Sequence, residues 1–281
     1  FFQMFTFSVC TYNLWKTDGA PTCWNSRRQL VLKSLKVLDP DVLMVQELHP
    51  EITKCVLEAL PNHWCVQDEF PGWQQEGNIF FRSSMFKELQ HGAEPIGQSE
   101  ALRRLFWVRV GLVSESKEES EKTALFSTAH FTWQGCQVEC ESFLNVRKSQ
   151  SQQTASELIK LQKQAPFECN EVCFFGGDLN EAFWPRKILG EHGFVDCFSA
   201  LSLPCRPTHP TRPSVNHEEQ NPDQVLDWLF AKSCVQGDVV KPLLATVVRD
   251  MMGLVSDNPS ETAHLGLQPS DHCPVMAVYR I

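Results

Sequence analysis

The strongest constraint on the fold of this chain is a series of short polar segments that lie beside short apolar, strand-like runs along almost its whole length. Each segment supplies a carboxylate, a carboxamide or an imidazole. In chain order the segments are Thr11-Tyr12-Asn13-Leu14-Trp15, Val45-Gln46-Glu47, Thr128-Ala129-His130, Gly176-Gly177-Asp178-Leu179-Asn180, Leu226-Asp227-Trp228 and Ser270-Asp271-His272. Because a rigid sheet fixes side chains at its strand ends more tightly than a loop does, such segments can build one site.

The apolar periodicity predicts strands throughout the chain, with helices entering at intervals. Strands are expected at 4–12, 41–46, 63–67, 77–82, 105–113, 123–130, 171–175, 224–230 and 273–280, and helices at 26–38, 51–60, 150–164 and 184–192. This order favours an α/β (α+β) fold, with sheets packed together and helices outside, over a simple parallel doubly wound sheet. No linker or break in composition divides the 281 residues, so one domain spanning 1–281 is expected.

Charge and cysteine content narrow the class of protein. The formal net charge of −9 argues against a generally basic nucleic-acid-binding surface, although a bound cation and a few arginines can offset acids locally. It favours transient engagement of an end over tight binding along a duplex. The twelve cysteines include no CxxC pair and several lie in apolar runs, which indicates free core thiols rather than disulfides or a zinc site. No apolar run approaches the roughly 18 residues of a membrane span, and we expect an intracellular monomer of the cytoplasm or nucleus.

The acidic and amide side chains suit a site for a hard cation and a phosphate. Glu47 follows an apolar run, where a buried carboxylate without a partner is costly, and it is the first choice as a ligand for Mg²⁺ or Mn²⁺, with Asp271 close by. The alternative is an N-terminal acid of the 51–60 helix. Asp178 and Asn180 are two residues apart, so in extended geometry they would share one face, as an acid that polarises water and an amide that donates to phosphate. The alternative there is an Asx-type turn.

Two histidines complete the polar set. His130 ends a predicted strand, a position at which a lone histidine is more often structural than catalytic. His272 follows Asp271, and Asp227 is a candidate partner for its ring. A carboxylate that holds one imidazole nitrogen fixes the tautomer and raises basicity, which suits proton transfer or donation to a phosphate. Taken alone, the segment 270–272 would be interpreted as a turn before the last strand.

The motifs Tyr-Asn-Leu-Trp, Gln-Glu, His, Gly-Asp-Leu-Asn, Asp-Trp and Ser-Asp-His, in this order, resemble those of the endonuclease/exonuclease/phosphatase superfamily, the deoxyribonuclease I-like fold. The resemblance covers the chain from Asn13 to His272. It implies a four-layer, two-sheet β-sandwich flanked by helices, with the active site at one end. It also implies divalent-metal-dependent hydrolysis of a phosphodiester or phosphomonoester. Trp228 stands where the family more often has tyrosine, and Val225 where it has isoleucine or leucine.

The same resemblance implies a role for each motif residue. Asn13 would bind phosphate and support the metal site. Glu47 would ligate the metal, and Asp271 would complete its shell. His130 would contact the scissile phosphate, Asp178 and Asn180 would orient water and phosphate, and Asp227 would hold His272. The resemblance thus implies that the catalytic residues are Asn13, His130, Asp178, Asn180, Asp227 and His272, and that the metal ligands are Glu47 and Asp271.

Arginine and aromatic side chains near such a site suit a single-stranded or frayed nucleic-acid end, and Arg82, Trp133 and Arg186 are the candidate substrate contacts. The favoured function is therefore a nucleic-acid phosphodiesterase that uses in-line attack of water. The first alternative is a phosphatase or phosphodiesterase acting on inositol phosphates or phospholipid head groups. The second is a catalytically silent binding module, which is disfavoured because all six segments keep their polar groups. Whether Asp178 or His272 accepts the water proton stays open at this point.

Overall fold

The structure, a computed structural model, describes residues 4–16, 24–98, 100–113, 122–165, 171–209, 224–235, 239–249 and 268–281. Within these ranges twelve strands form two sheets. The strands are β1 (Thr6–Asn13), β2 (Val42–Gln46), β3 (His63–Cys65), β4 (Gly77–Arg82), β5 (Phe86–Glu94), β6 (Leu105–Leu112), β7 (Thr123–His130), β8 (Val172–Asp178), β9 (Val195–Asp196), β10 (Asp227–Ser233), β11 (Pro242–Val247) and β12 (Val275–Arg280). The helices are α1 (Trp24–Leu38), α2 (Pro50–Ala59), α3 (Gly72–Gln75), α4 (Gln137–Ser142), α5 (Val146–Lys163), α6 (Trp184–Glu191) and α7 (Cys197–Ala200).

Both sheets have six strands and mixed direction. The order in the first sheet is β11-β12-β1-β2-β4-β3, and in the second it is β5-β6-β7-β8-β10-β9. One central pair in each sheet is parallel, β1 with β2 and β7 with β8, while the other neighbouring pairs are antiparallel. The prediction of a two-sheet sandwich flanked by helices, as in the deoxyribonuclease I-like fold, is confirmed.

Alternation along the strands explains the layers, because successive side chains of a strand point to opposite faces. On β1, Phe7 faces the other sheet, where its ring lies 5.9 Å from that of Phe126 and 5.5 Å from that of Phe174. Cys10 and Tyr12 instead join the core beneath α1 and α2. A third core lies between the second sheet and the helices α5 and α6. The chain therefore folds as helix, sheet, sheet and helix layers.

The predicted helices are all present, with different ends. The first, expected from residue 26, includes Trp24 and Asn25 as well, and it buries a stripe formed by Val31, Leu35 and Leu38. The helix predicted at 150–164 begins at Val146, because the Asn145 side chain caps it by accepting from the amide of Lys148.

The strands β5 and β11 are absent from the sequence-based assignment, and both lie at sheet edges. Only Phe86 is fully buried in β5, which also carries a register shift between Glu88 and Gln90, so its apolar alternation is weak. In β11 the adjacent Leu243 and Leu244 are both about half exposed. An edge strand has one neighbour and less buried surface, so periodicity identifies it poorly.

The cysteine and membrane-span predictions concern the whole chain, and the structure tests them over the described ranges. The ten cysteines that lie within these ranges are free, and most are buried; Cys23 and Cys169 lie outside them. No helix in this part of the chain combines the length and apolar character needed to cross a bilayer. Thiols thus serve as small core residues here.

Candidate active site

The strand register places the predicted polar residues at one end of the sandwich, the polar edge, where β1, β2, β7 and β8 end. In the second sheet, Asp178 at the end of β8 is the register partner of both His130 and Asp227. In the first sheet, Asn13 at the end of β1 pairs with Gln46. Since β12 runs antiparallel to β1, the segment that precedes β12 also lies at this edge. The ends of four strands (β1, β2, β7 and β8), the start of β10 and the approach to β12 thus converge.

The oxygen Oδ2 of Asp178 is the centre of the cluster. It accepts from Nδ2 of Asn13 at 3.0 Å and lies 3.4 Å from Nε2 of His130 and 3.6 Å from Nε2 of His272. The same Asn13 amide donates to Oε1 of Glu47 at 3.1 Å, so Asn13 joins the two sheets. Glu47, Asp178 and His272 therefore share one neighbourhood, as a common site requires.

Glu47 occupies a strained position directly after β2. Its φ of 54° is left-handed, a conformation that non-glycine residues seldom adopt and that costs about 1–3 kcal/mol. The backbone turn aims the carboxylate at Asn13, and Oε2 accepts from the amide of Lys16 at 3.1 Å. The alternative of an N-terminal acid for α2 does not describe this geometry, because His49 caps that helix and Glu51 supplies the acid of its first turn.

The Gly-Asp-Leu-Asn segment differs from its predicted form. Strand β8 continues through Gly176 and Gly177 to Asp178, and close strand contact explains the second glycine, since a Cβ at Gly177 would lie 2.1 Å from the carbonyl oxygen of Ala129. Asn180 has a φ of 50°, so the expectation that Asp178 and Asn180 share a face of an extended strand is wrong.

An Asx-type turn is present at this segment, as one of the two interpretations proposed. Oδ1 of Asp178 accepts from the amide of Asn180 at 3.0 Å, and Nδ2 of Asn180 donates to the carbonyl of Phe131 at 2.9 Å. The turn does not compete with a role in chemistry, because it uses Oδ1 and leaves Oδ2 of Asp178 directed into the cluster.

His272 is held by a carboxylate. Its Nδ1 donates to Oδ2 of Asp227 at 2.8 Å, and both side chains are buried. Asp227 is fixed in turn through its backbone amide, which donates to Oγ1 of Thr208 at 3.0 Å. Burial by itself lowers the pKa of His272, but the charges of Asp227, Asp178 and Asp271 outweigh it and hold that pKa well above its ordinary value. Nε2 of His272 is then a cationic donor that faces Asp178.

His130 has the opposite electrostatic setting. Burial lowers the pKa of its imidazole well below the ordinary value, and the cations of Arg103, His272 and Lys16 lower it further. Its ring is neutral at physiological pH. Nε2 faces Asp178, while Nδ1 is buried without a hydrogen-bond partner among the described residues.

Among the acids at this edge, Asp178 has the most strongly shifted pKa. Burial raises its pKa to about 7, with a further contribution from Asp227, against the lowering effects of His272, Asn180 and Asn13. A carboxyl group with a pKa near the working pH is suited to accept and return a proton. The three titratable groups around Oδ2 thus have different tasks available to them.

Three sets of side chains at this edge have ligand atoms within 4.8 Å of one another, as a bound cation requires. They are Glu47, His130 and Asp178; Asp178, Asp227 and His272; and His209, Asp271 and His272. Carboxylate oxygens fit Mg²⁺ or Mn²⁺, so the residues present suit a hard divalent cation. Among these sets none contains both Glu47 and Asp271, so the predicted pairing of these two ligands stays a prediction.

The three predicted substrate residues lie in different places. Arg82 ends β4 at the far edge of the first sheet, because β4 runs antiparallel to β2 and its Gly77 pairs with Gln46. It forms ion pairs with Asp41 at 2.7 Å and Asp39 at 3.0 Å. The interpretation of Arg82 as a substrate contact is therefore wrong: the end of a strand lies at the site only when the strand runs in the right direction.

The other two lie nearer the site. Trp133 follows His130 by three residues and is 55% exposed, at the rim. Arg186 on α6 is engaged by Asp196 at 2.9 Å and lies over the ring of Trp228, 5.4 Å from its centroid. Their contact with substrate stays a prediction.

Several contacts at this edge have no counterpart in the sequence motifs. Glu76 holds both Lys16 and Arg103, and the two cations lie close enough to lower the pKa of His130. His209 lies beside Asp271 and His272. These contacts join residues that are far apart in sequence, so no local motif indicates them.

Arg27 was also missed, although a signal for it existed. It lies four residues before Val31, on the buried stripe of α1, and is fully buried. Its guanidinium donates to the carbonyls of Leu14, Trp15, Lys16 and Pro269. It thus joins the loop after β1 to the segment that carries Asp271 and His272.

Comparison with known proteins agrees with this geometry. The family model described as the endonuclease/exonuclease/phosphatase family matches residues 10–272. The chain belongs to this family. Its members are phosphoester hydrolases that use divalent metals, and the chain is accordingly a phosphoester hydrolase. A search of curated protein sequences finds no match.

Solved structures share the fold at low sequence identity. TDP2 of D. rerio, complexed with a single-strand DNA product, has a TM-score of 0.70 and 18% identity, with 98% of each chain covered. Truncated TDP2 of Caenorhabditis elegans has a TM-score of 0.66 and 17% identity, covering 99% of this chain and 98% of that one. The mannosyl-6-phosphatase Bt3783 of Bacteroides thetaiotaomicron has a TM-score of 0.66 and 15% identity, covering 98% and 99%.

Proposed function

We propose that this chain hydrolyses phosphodiester bonds of nucleic acids, at a single-stranded segment or an end, with Mg²⁺ or Mn²⁺ as the cofactor. The observation that carries the proposal is a set of exposed aromatic side chains on the two loops that leave the catalytic edge. Trp133 follows His130 and is 55% exposed, and Phe183 follows Asp178 and Asn180 and is 60% exposed. Nucleobases stack on such side chains without regard to sequence.

The two loops are held together beneath these aromatics. Arg147 at the start of α5 donates to the carbonyl of Thr132 at 3.1 Å and to Oε2 of Glu181 at 3.0 Å. A cation also lies at this rim, because Nζ of Lys148 is 3.5 Å from the centroid of the Trp184 ring. A rim with fixed aromatic surfaces and a lysine suits bases and their backbone, whereas a small sugar phosphate has no need of it.

The residues at the edge have complementary roles in one in-line displacement. Glu47 and Asp271 are the proposed ligands of the cation, which when bound stabilises negative charge on the phosphoryl and leaving oxygens. Oδ2 of Asp178 accepts the proton of the attacking water. His272 donates from Nε2 to a phosphoryl oxygen, and Asp227 holds its ring. Neutral His130 contacts the same phosphate.

The two amides organise this arrangement. Asn13 donates to Glu47 and Asp178 at once and so fixes the separation between the metal-binding and proton-accepting carboxylates. Asn180 fixes the position of Asp178 through its backbone amide and leaves one amide proton beyond its bond to Phe131 for a phosphate oxygen. This assignment favours Asp178 over His272 as the base, because His272 already carries its proton.

A second candidate function, hydrolysis of a phosphomonoester, is favoured by one observation. The mannosyl-6-phosphatase has nearly the same TM-score as the DNA-bound TDP2, 0.66 against 0.70. The fold likeness therefore does not discriminate between the two substrates, and the aromatic rim is the observation that supports a nucleic acid.

The test is a substrate panel with Mg²⁺ and with Mn²⁺. The panel contains labelled single-stranded DNA, duplex DNA, single-stranded RNA, a 5′-tyrosyl oligonucleotide, an inositol phosphate, mannose 6-phosphate and sphingomyelin vesicles. We expect cleavage of the single-stranded substrates, abolished in Asp178→Asn. Hydrolysis of a phosphomonoester or lipid, with no cleavage of any oligonucleotide, would overturn the proposal.

The rim is tested with matched tryptophans. Trp133→Ala should raise KM for single-stranded DNA by about 5- to 150-fold, since stacking contributes about 1–3 kcal/mol per base. Trp64→Ala is the control, because Trp64 is 54% exposed on the edge strand β3 of the other sheet. An equal effect of the two substitutions would remove Trp133 from the binding surface.

A further inference from the structure

His209 is fixed next to the catalytic edge by backbone contacts on two sides. An antiparallel bridge joins it to Gln224, with hydrogen bonds of 2.9 and 3.0 Å. The preceding residue, Thr208, accepts through its carbonyl from the amide of Cys273 at 2.6 Å. The backbone of His209 is therefore tied both to the approach of β10 and to the segment that carries Asp271 and His272.

The imidazole of His209 meets those two side chains. Its Nε2 lies 3.7 Å from Oδ2 of Asp271, and its ring centroid lies 4.8 Å from that of His272. One ligand atom of each of the three residues lies within 4.8 Å of the others. The side chain of His209 is 25% exposed, which leaves the set open to solvent.

The donor set differs from that of Glu47, His130 and Asp178. It offers two imidazoles and one carboxylate, a combination that favours zinc and similar borderline metals over magnesium. His272 is already oriented as a metal-binding histidine usually is, with Nδ1 donating to a carboxylate, here Asp227, which leaves Nε2 as the nitrogen for an ion.

We propose that His209, Asp271 and His272 form an inhibitory site for a borderline transition metal, represented by Zn²⁺. A metal ion bound to Nε2 of His272 would use the lone pair that otherwise holds the proton on that nitrogen. His272 could then no longer donate from Nε2 to Asp178 or to a phosphate. Asp271 would then be withdrawn from the proposed magnesium site. Binding at this site does not depend on the nucleic-acid proposal, whereas the inhibition rests on hydrolysis of some phosphoester.

Binding is measured first, by calorimetry with Zn²⁺ in excess Mg²⁺ and by the visible absorption of bound Co²⁺. Each protein also carries Cys140→Ser, because Cys140 is an exposed thiol that can bind zinc. We expect His209→Asn to weaken Zn²⁺ binding by at least about 10-fold and to change the Co²⁺ spectrum. His192→Asn is the matched control, because His192 follows the C-terminal end of α6. It should change neither the Zn²⁺ affinity nor the Co²⁺ spectrum. Equal Zn²⁺ affinity of the His209→Asn and control proteins would overturn the proposal.

Inhibition is measured next, with each rate expressed relative to the same variant without Zn²⁺. We expect Zn²⁺ to inhibit the control protein, and His209→Asn to shift the inhibition curve by at least about 10-fold. Because Asp271 belongs to both proposed sites, excess Mg²⁺ should raise the inhibitory Zn²⁺ concentration in both proteins. An inhibition curve that is the same in the two proteins would place the ion with Glu47 instead and refute the assignment. If the panel shows no cleavage of nucleic acid, the proposed function fails, and the calorimetry still decides whether the zinc site exists.

Discussion

Replacement of Asp227 by asparagine tests the central link of the proposed mechanism. The change keeps the shape of the side chain but removes the negative charge that faces Nδ1 of His272 at 2.8 Å. Asp227 is fully buried and its backbone amide is bound to Thr208, so the substituted side chain has little room to move away. The carboxamide oxygen can still accept from Nδ1, which isolates the effect of charge from that of orientation.

The expected magnitude follows from the type of hydrogen bond that is lost. Hydrogen bonds that involve a charged group contribute about 1.5–3 kcal/mol; a bond between imidazolium and carboxylate, with both partners charged, belongs at the upper end, and one between imidazolium and a carboxamide at the lower end. The difference of about 1–1.5 kcal/mol in the stabilisation of protonated His272 corresponds to a roughly 10-fold lower kcat, if His272 donates to the phosphate in the transition state. Asp227→Ala loses the whole bond and frees the ring, so we expect a loss of about 10- to 150-fold.

The assay is steady-state hydrolysis at saturating Mg²⁺, with thermal unfolding as a check on the fold. Asp41→Asn is the control, because Asp41 makes comparable hydrogen bonds with Ser8 and Arg82 at the opposite edge of the first sheet. Its kcat should stay within about twofold of the parent value. If both Asp227 variants fold and also retain kcat within that range, His272 does not act as a held proton donor, and the reasoning fails.

Three further predictions concern other parts of the molecule. Gly177→Ala should lower the free energy of unfolding by about 3 kcal/mol or more in urea titration, because the new Cβ would lie 2.1 Å from the carbonyl oxygen of Ala129; a change below about 1 kcal/mol would contradict this. Arg27→Met should destabilise the fold and raise the Mg²⁺ concentration needed for activity, since several buried carbonyls lose their donor; an unchanged Mg²⁺ requirement would limit Arg27 to stability. His91→Asn should cost more stability at about pH 5.5 than at about pH 9. Burial opposes the rise, but Glu88 and Asp68 hold the pKa of His91 above 6.5, so its stabilisation is present below that pH and lost as pH rises through the folded pKa; an equal cost at both values would refute it.

The sequence predicted the residues of the polar edge well, because the pattern that marks each of them lies within one short segment. A polar residue directly after or before a strand is visible in one segment, and six such segments in a known order indicate a family. The sequence does not show which way each strand runs in its sheet. Asp227 begins β10 and lies at the site because β10 is antiparallel to β8, whereas Arg82 ends β4 and lies at the opposite edge for the same kind of reason. Direction is decided by tertiary pairing.

Backbone conformation at the strand ends was equally beyond the sequence. Trp15, Glu47 and Asn180 all have left-handed φ values, of 52°, 54° and 50°, although none is glycine. Local sequence favours extended geometry for Trp15 and Glu47, since a bulky side chain disfavours positive φ, whereas for Asn180 an Asx-type turn was the alternative. Tertiary contacts outweigh that preference here: Asn13 binds Glu47, and Phe131 holds Asn180.

The pairing of the two sheets explains both the positive φ angles at the strand ends and the positions of the acids at the polar edge. A buried carboxylate without a partner costs several kcal/mol, so the acids at this edge each need a donor placed at a fixed distance. Asn13 serves two of them, Glu47 and Asp178, and His272 serves Asp227. These donors come from both sheets, so sliding one sheet over the other would leave an acid without its hydrogen-bond donor. The packing of Phe7 against the stacked rings of Phe126 and Phe174 helps to hold the sheets in place, and the polar edge favours the register in which the cluster closes.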